Sequence, residues 1–445
     1  VRNNATLAPF VLFLLTAQAL AACGGSSASS GGGGDSGNDA TRSTDASGGG
    51  ADGNSGGNDG GASNDGNGGT NGAEGGGMSD AAGSPDAPHD GNADAGKSGT
   101  DGGVSNQDGG IFTPGAPITA TSQTWTWVDF PDAYCANGTA TGLGVNLSTA
   151  SSNVVIYLEG GGACWDDLTC LTVMSASNFT TGYSSSNFAS ESTDTTYLAE
   201  AGGFFDRTAS SNPFKDFSWV YIPYCTGDVF GGNNVTSFGT TPAWFVGARN
   251  IIAYLDRIVP TFPSASSVYL MGSSAGGYGA LLNWWRVQAA FGTIPVHMID
   301  DSGTPVPPDV LMTSSAGPMG YQPEQETAWN IDSTLPPGCT GCTTRLDALF
   351  GYYATAFPNQ RGALLSYTAD TVLPSFYGIS TSEFTTGLNE IVSTDIAPTT
   401  NLKSFEYGGS GHVLAFSPTL ATNNVSVMQF VSAMVQNSGW VSEGP

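Results

Sequence analysis

Few positions in this chain could supply a hydroxyl nucleophile with a base and an acid. The apolar, β-rich run Ser267–Met271 passes straight into Gly272-Ser273-Ser274-Ala275-Gly276-Gly277, and residues 276–291 continue with helical composition. A G-x-S-x-G between a strand and a helix forms a nucleophile elbow, a tight turn that leaves little room for side chains at its glycines. The turn lifts Ser274 into the open at the helix N-terminus, where the helix dipole favours developing negative charge. Ser273 falls one residue out of phase with the pattern. The alternative is a purely structural turn.

The base follows by elimination among three histidines. His89 lies in a tail too polar to fold, and His297 sits inside the apolar run Val296–Ile299, where a neutral, hydrogen-bonded core histidine is expected. His412 follows Gly408-Gly-Ser-Gly and is read as part of a flexible loop after the apolar stretch near Phe405. It lies C-terminal to Ser274, as the order serine, acid, histidine requires. Two aspartates between them fall at strand ends, Asp301 and Asp370. The later strand is the usual place for the acid, which favours Asp370. Either could instead be a helix cap or turn residue.

Upstream, Leu158-Glu-Gly-Gly-Gly-Ala-Cys164 also follows a strand-like run. Consecutive glycines let backbone N–H groups approach a tetrahedral oxyanion without obstruction. Gly161 and Gly162, with Ala275 as the residue after the nucleophile, are the candidate donors. No lysine follows the glycines, which argues against a phosphate loop.

These residues need a frame. Val154–Leu158, Ser218–Ile222, Ser267–Met271, Val296–Ile299 and Ala363–Thr368 are short, nearly continuous apolar runs. Such runs suit strands buried on both faces of a parallel sheet. Helical periodicity lies between them, over Trp244–Ile258 and Gly276–Phe291. The alternation predicts an α/β fold, with a mostly parallel central sheet flanked by helices.

The frame occupies part of the chain. Of 64 glycines in 445 residues, 30 lie between Gly24 and Gly110, a stretch without Phe, Trp or Tyr. That segment cannot bury enough apolar surface to fold. Ahead of it, Leu7–Ala22 is a short apolar run after Arg2 that ends in small residues before Cys23. The pattern resembles a bacterial lipoprotein signal, with Cys23 the lipidated residue. The expected organisation is a signal segment at 1–22, an unfolded tether at 23–110 and a catalytic domain at 111–445. The protein would be exported to the cell envelope or surface and held to a membrane through Cys23.

Setting Cys23 aside leaves six cysteines, an even number that an oxidising compartment would pair. The short separations favour Cys164 with Cys170 and Cys339 with Cys342, leaving Cys135 with Cys225. The net charge is −27, and residues 111–445 carry −17 of it. Without a basic footprint, nucleic-acid binding is excluded. No residue cluster calls for a metal, and no cofactor is expected.

Leu158–Cys164 with Cys170, Pro223-Tyr-Cys-Thr-Gly-Asp228, Gly272–Gly277 with Leu281-Leu-Asn283 and Arg286, and Asp301-Ser-Gly303 together resemble the pectin acetylesterase/Notum family. Cys135-Ala-Asn137-Gly138 is similar to an early cysteine segment of its plant members. The likeness spans most of Trp125–Phe416. It implies an α/β-hydrolase fold and a metal-independent serine carboxylesterase. Ser274, Asp370 and His412 fall at the triad positions, and Gly161, Gly162 and Ala275 at the oxyanion positions. Asp301 would be a structural or pocket residue. Members often carry Trp at the position of Gly162 or Ala163; here both are small and Trp165 stands beyond them.

The expected substrate is an acyl ester, acetyl before longer chains, on an acetylated polysaccharide such as pectin. A strongly negative domain repels free polygalacturonate, which favours a neutral or heavily acetylated glycan, or a small acetyl ester, over demethylated pectin. The alternatives are a deacylase of longer acyl esters, an inactive surface carbohydrate-binding protein, and a peptidase or amidase. The enzyme is expected to be a monomer.

Overall fold

The computed structural model describes residues 113–193, 203–313 and 327–445. The segment 1–22, Cys23, the tether 23–110 and His89 lie outside the described residues. Among the described residues, no helix is long and apolar enough to cross a membrane.

Eight strands build the main sheet. In chain order they are β1 (Thr126–Tyr134), β2 (Ala140–Asn146), β3 (Val154–Leu158) and β4 (Ser218–Ile222), then, after a separate hairpin of β5 (Asn234–Phe238) and β6 (Thr241–Phe245), β7 (Val268–Ser273), β8 (Val296–Asp301), β9 (Gly362–Asp370) and β10 (Leu402–Gly411). Their spatial order is β1-β2-β4-β3-β7-β8-β9-β10. From β4 to β10 every pairing is parallel, while β2 runs against both β1 and β4. This is the mostly parallel α/β sheet expected of the apolar runs.

All residues of β3, β4, β7 and β8 are buried. Alternation sends β3 side chains to two cores. Val154, Ile156 and Leu158 join one that includes Leu270, Leu281 and Trp284. Val155 and Tyr157 join the other, with Trp219, Tyr221, Tyr269 and Met271. At about 1.5–3 kcal/mol per large apolar side chain, this two-sided burial is what fixes the strand register. His297 is a core histidine of β8. Burial, with the nearby Arg361 adding to it, pushes its pKa down to about 3, and Nδ1 accepts the Arg361 N–H at 2.9 Å.

Two helices matter most for the site. The first, α1 (Gly247–Thr261), starts where the buried Asp228 carboxylate accepts the Gly247 N–H at 2.7 Å. The expected helix began at Trp244, but Trp244 and Phe245 pair with Val235 and Asn234 in the β5–β6 hairpin. The second, α2 (Ala275–Phe291), is buried along nearly its whole length. Two of its polar members bond to the surrounding main chain: Asn283 donates to Phe230 O and Gly279 O, and Gln288 accepts from Val296 N.

A second difference concerns the glycines before His412. They are strand, not loop: β10 pairs with β9 as far as Gly411 opposite Asp370. The register shifts between Tyr407 and Ser410. Glycines are poor strand formers on their own, but a bulge of this kind tolerates them and re-aims the residues that follow.

Three disulfides tie the framework together. They join Cys135 to Cys225, Cys164 to Cys170 and Cys339 to Cys342. The first closes a separation of 90 residues and links the end of β1 to the segment after β4. The second lies just beyond the glycine loop after β3.

Candidate active site

The chain leaves β3 for β4 on one side and later returns to place β7 on the other. The crevice at such a switch point, beyond the carboxyl ends of the strands, is where open α/β sheets bind ligands. The glycine loop follows β3 and the elbow follows β7, so both open onto it.

Ser274 sits between β7 and α2 with φ 57° and ψ −122°. A non-glycine residue in this region is strained, by about 1–3 kcal/mol. Close backbone contacts hold the turn. A Cβ on Gly276 would lie 2.0 Å from Leu158 O, so no larger residue fits there. The Ser274 N–H donates to Asp301 O at 2.7 Å. Ala275 opens α2, where the first N–H groups of a helix have no intrahelical acceptor.

The glycine loop lies against the elbow. A Cβ on Gly160 would come within 3.2 Å of Ser274 Cβ. Gly162 has φ +76°, and a Cβ there would meet Ser175 O at 2.1 Å. Gly161 O accepts the Ser177 N–H at 2.8 Å, which anchors the loop, while no backbone carbonyl among the described residues takes the Gly161 or Gly162 N–H. Glu159, just before the glycines, accepts the Tyr224 N–H at 2.8 Å.

Asp370 ends β9 and His412 follows β10, on neighbouring strands. His412 Nδ1 and Asp370 Oδ2 are 2.7 Å apart. The other oxygen of Asp370, Oδ1, accepts the N–H groups of Val372 and Leu373 at 2.8 and 2.9 Å. The carboxylate is fully buried with a defined partner for each oxygen. His412 Nε2 is buried and has no hydrogen-bond partner among the described residues. Such a nitrogen can take a proton from an adjacent hydroxyl once substrate tightens the geometry.

Asp301, at the end of β8, is also fully buried. Its Oδ2 accepts the Ser273 hydroxyl and the Ala415 N–H, both at 2.9 Å, and its Oδ1 accepts the Leu414 N–H at 2.8 Å. Ser302 Oγ donates to Asp301 Oδ1 at 3.3 Å and accepts the Val413 N–H at 3.1 Å. Burial raises the Asp301 pKa, opposed by those donors and by attraction to His412. The neighbouring Asp300 faces the other way. Its Oδ1 accepts the Gly303 N–H at 2.8 Å while Oδ2 is buried without a partner among the described residues. Burial, with a smaller push from Asp301, raises its pKa to about 8.

Among the described residues, no group of three or more His, Cys, Asp or Glu side chains could hold a metal ion. Trp165 lines a cleft of about 530 Å³ with Asp166, Asn234, Thr236, Phe238, Thr327 and Ala328.

Residues 119–360 match the family described as PAE: Pectinacetylesterase, over half of the chain. This chain belongs to the pectinacetylesterase family. The match contains the glycine loop, the elbow and Asp301, and it stops short of Asp370 and His412. Among curated relatives of this family member, the palmitoleoyl-protein carboxylesterase NOTUM of Schmidtea mediterranea is 33% identical over 161 residues, 35% of this chain and 28% of that protein. Pectin acetylesterase 11 of Arabidopsis thaliana is 26% identical over 176 residues, 38% of this chain and 42% of that protein. The matched part of the chain thus spans less than half the length of either relative. The solved structure of the Wnt deacylase Notum from Drosophila superposes with a TM-score of 0.54 at 17% identity, covering 73% of this chain and 97% of that one. The two share a fold.

The sequence pattern singled out Ser274, Asp370 and His412, and in this pectinacetylesterase-family fold all three stand at carboxyl ends of strands in one sheet. The pattern gave no sign that Ser273 and Ser302 would bond to Asp301. Ser273 lies 28 residues before Asp301, Ser302 takes the N–H of Val413 from 111 residues away, and no periodicity marks either.

Proposed function

We propose that the protein is a serine carboxylesterase that removes acetyl groups from a neutral or heavily esterified polysaccharide. The observation that carries this reading is the 2.7 Å contact of His412 with a fully buried Asp370, beside an elbow that presents Ser274. A free imidazole nitrogen, a strained serine and a glycine loop with unused N–H groups are the parts that acyl transfer needs.

In this scheme the Ser274 hydroxyl attacks the ester carbonyl while His412 Nε2 takes its proton. Asp370 fixes the imidazole with Nδ1 protonated and stabilises its positive charge. The N–H groups of Gly161, Gly162 and Ala275 receive the oxyanion. His412 returns the proton to the leaving alcohol, and an acetyl-Ser274 ester remains. Water, activated by the same imidazole, then releases acetate and restores the serine. Both named relatives act on carboxylic esters by their descriptions, one of pectin and one of palmitoleoyl-protein. Three disulfides suit an exported protein.

The charge of −17 over residues 111–445 supports a neutral glycan over a polyanion. Acetate release from highly esterified pectin, acetylated xylan and demethylated pectin, each at two ionic strengths, tests the substrate reading. The neutral substrates are expected to lead at low salt, and added salt is expected to help only the demethylated one. A preference for medium or long acyl chains in a parallel series of p-nitrophenyl esters would overturn the acetyl reading.

A further inference from the structure

Three non-glycine residues with positive φ converge at the end of β8: Ser274 at 57°, Ser302 at 60° and Val413 at 66°. A β-branched residue such as Val413 rarely adopts this conformation and needs its surroundings to hold it there. One residue provides or backs those restraints. Asp301 O takes the Ser274 N–H at 2.7 Å. The Asp301 carboxylate takes the N–H groups of Leu414 and Ala415, and it orients the Ser302 hydroxyl that accepts the Val413 N–H. It also takes the hydroxyl of Ser273, the residue before the nucleophile. The three backbone groups that follow His412 and the two residues of the elbow are therefore fastened to one buried point.

We infer that Asp301 is a positioning residue that sets the separation and angle between Ser274 and His412, without touching substrate itself. The inference rests on the serine-esterase reading above. Asparagine at this position is the informative change. Whichever way its amide lies, the NH2 group faces either Ala415 N–H and Ser273 Oγ or Leu414 N–H and Ser302 Oγ. A backbone donor after His412 loses its acceptor in both cases, and the imidazole shifts against the serine. A misplacement of about 1 Å costs roughly 10²-fold in rate.

The test measures p-nitrophenyl acetate turnover by the full chain, with active sites counted by a fluorophosphonate probe. For Asp301→Asn, kcat per titrated site is expected to fall roughly 10- to 100-fold with KM within about twofold. A merely structural role would lower the number of titratable sites and leave kcat per site unchanged, and that result would overturn the inference. If Asp301→Asn does not fold, Ser302→Ala decides. It removes the Val413 link and one hydroxyl donor to Asp301 Oδ1 while leaving the Leu414 and Ala415 bonds to the carboxylate, and a several-fold loss of kcat at constant KM is expected, whereas full kcat per site would reject the inference. Ser274→Ala, assayed alongside, separates the two levels. Turnover retained there removes the esterase reading and this inference with it. An inactive Ser274→Ala beside a fully active Asp301→Asn removes the inference alone.

Discussion

Asp301 and Asp370 close adjacent parallel strands of one sheet, both fully buried and both bonded to the segment around His412. Asp370 bonds to the ring, through Nδ1 at 2.7 Å, while Asp301 bonds to the backbone, through Leu414 and Ala415. The difference comes from where β10 delivers the histidine. β10 lies next to β9, so the imidazole meets the carboxylate at the end of its own neighbour. The chain after His412 then turns back across β9 to the end of β8, where only main chain is left to be bound. Two carboxylates in like settings thus divide the work: one fixes a tautomer and a charge, the other fixes a path.

The largest expected effect tests the first half of that division. Asp370→Asn should lower kcat for p-nitrophenyl acetate by about 10⁴-fold, the scale for losing the group that holds a triad imidazole in its tautomer. Asp301→Asn, through misplacement, should cost far less. Steady-state kinetics on both variants check the order, and the reverse order would exchange their roles.

The smallest effect on turnover concerns the third aspartate, Asp300, whose carboxylate packs against Gly277 of α2 and bonds to Gly303 rather than to the His412 segment. Its pKa is raised by burial to about 8, so between the ordinary carboxyl range and pH 8 the folded state holds a proton that the unfolded state releases. Stability from this group is present at low pH and is lost as pH rises toward 8. Asn keeps the acceptor for Gly303 N and cannot ionise. Thermal melts of Asp300→Asn should match the parent only below about pH 4, diverge as pH rises, and show the higher Tm at pH 9, with kcat retained. Equal pH dependence in the two proteins would place the titration elsewhere.

The central strands were legible because burial on both faces leaves an unbroken apolar run. Val154–Leu158 and Ser218–Ile222 have the same limits in sequence and structure. The edge strands were not. Thr126–Tyr134 is mostly half-buried or exposed, with only Phe130 and Ala133 buried, and no continuous run or strict alternation marks it. The glycines before His412 read as loop because their strand pairing is supplied by β9, which local composition cannot reveal. Trp244 read as helix because its hairpin partner precedes it in a polar segment, Asn234–Phe238. At the site, side-chain identity and order pointed to Ser274, Asp370 and His412, since their types are scarce and their strand-end positions follow from the runs. The task of Asp301 was hidden because its donors lie 113 and 114 residues away, at Leu414 and Ala415.

The most direct test of the account is to locate the nucleophile. The full chain would be treated with a fluorophosphonate, digested and mapped by mass spectrometry. The account predicts a single phosphonyl adduct on the peptide containing Gly272–Gly277, assigned to Ser274 and absent in Ser274→Ala. An adduct on another residue, or undiminished labelling and ester turnover in Ser274→Ala, would contradict it.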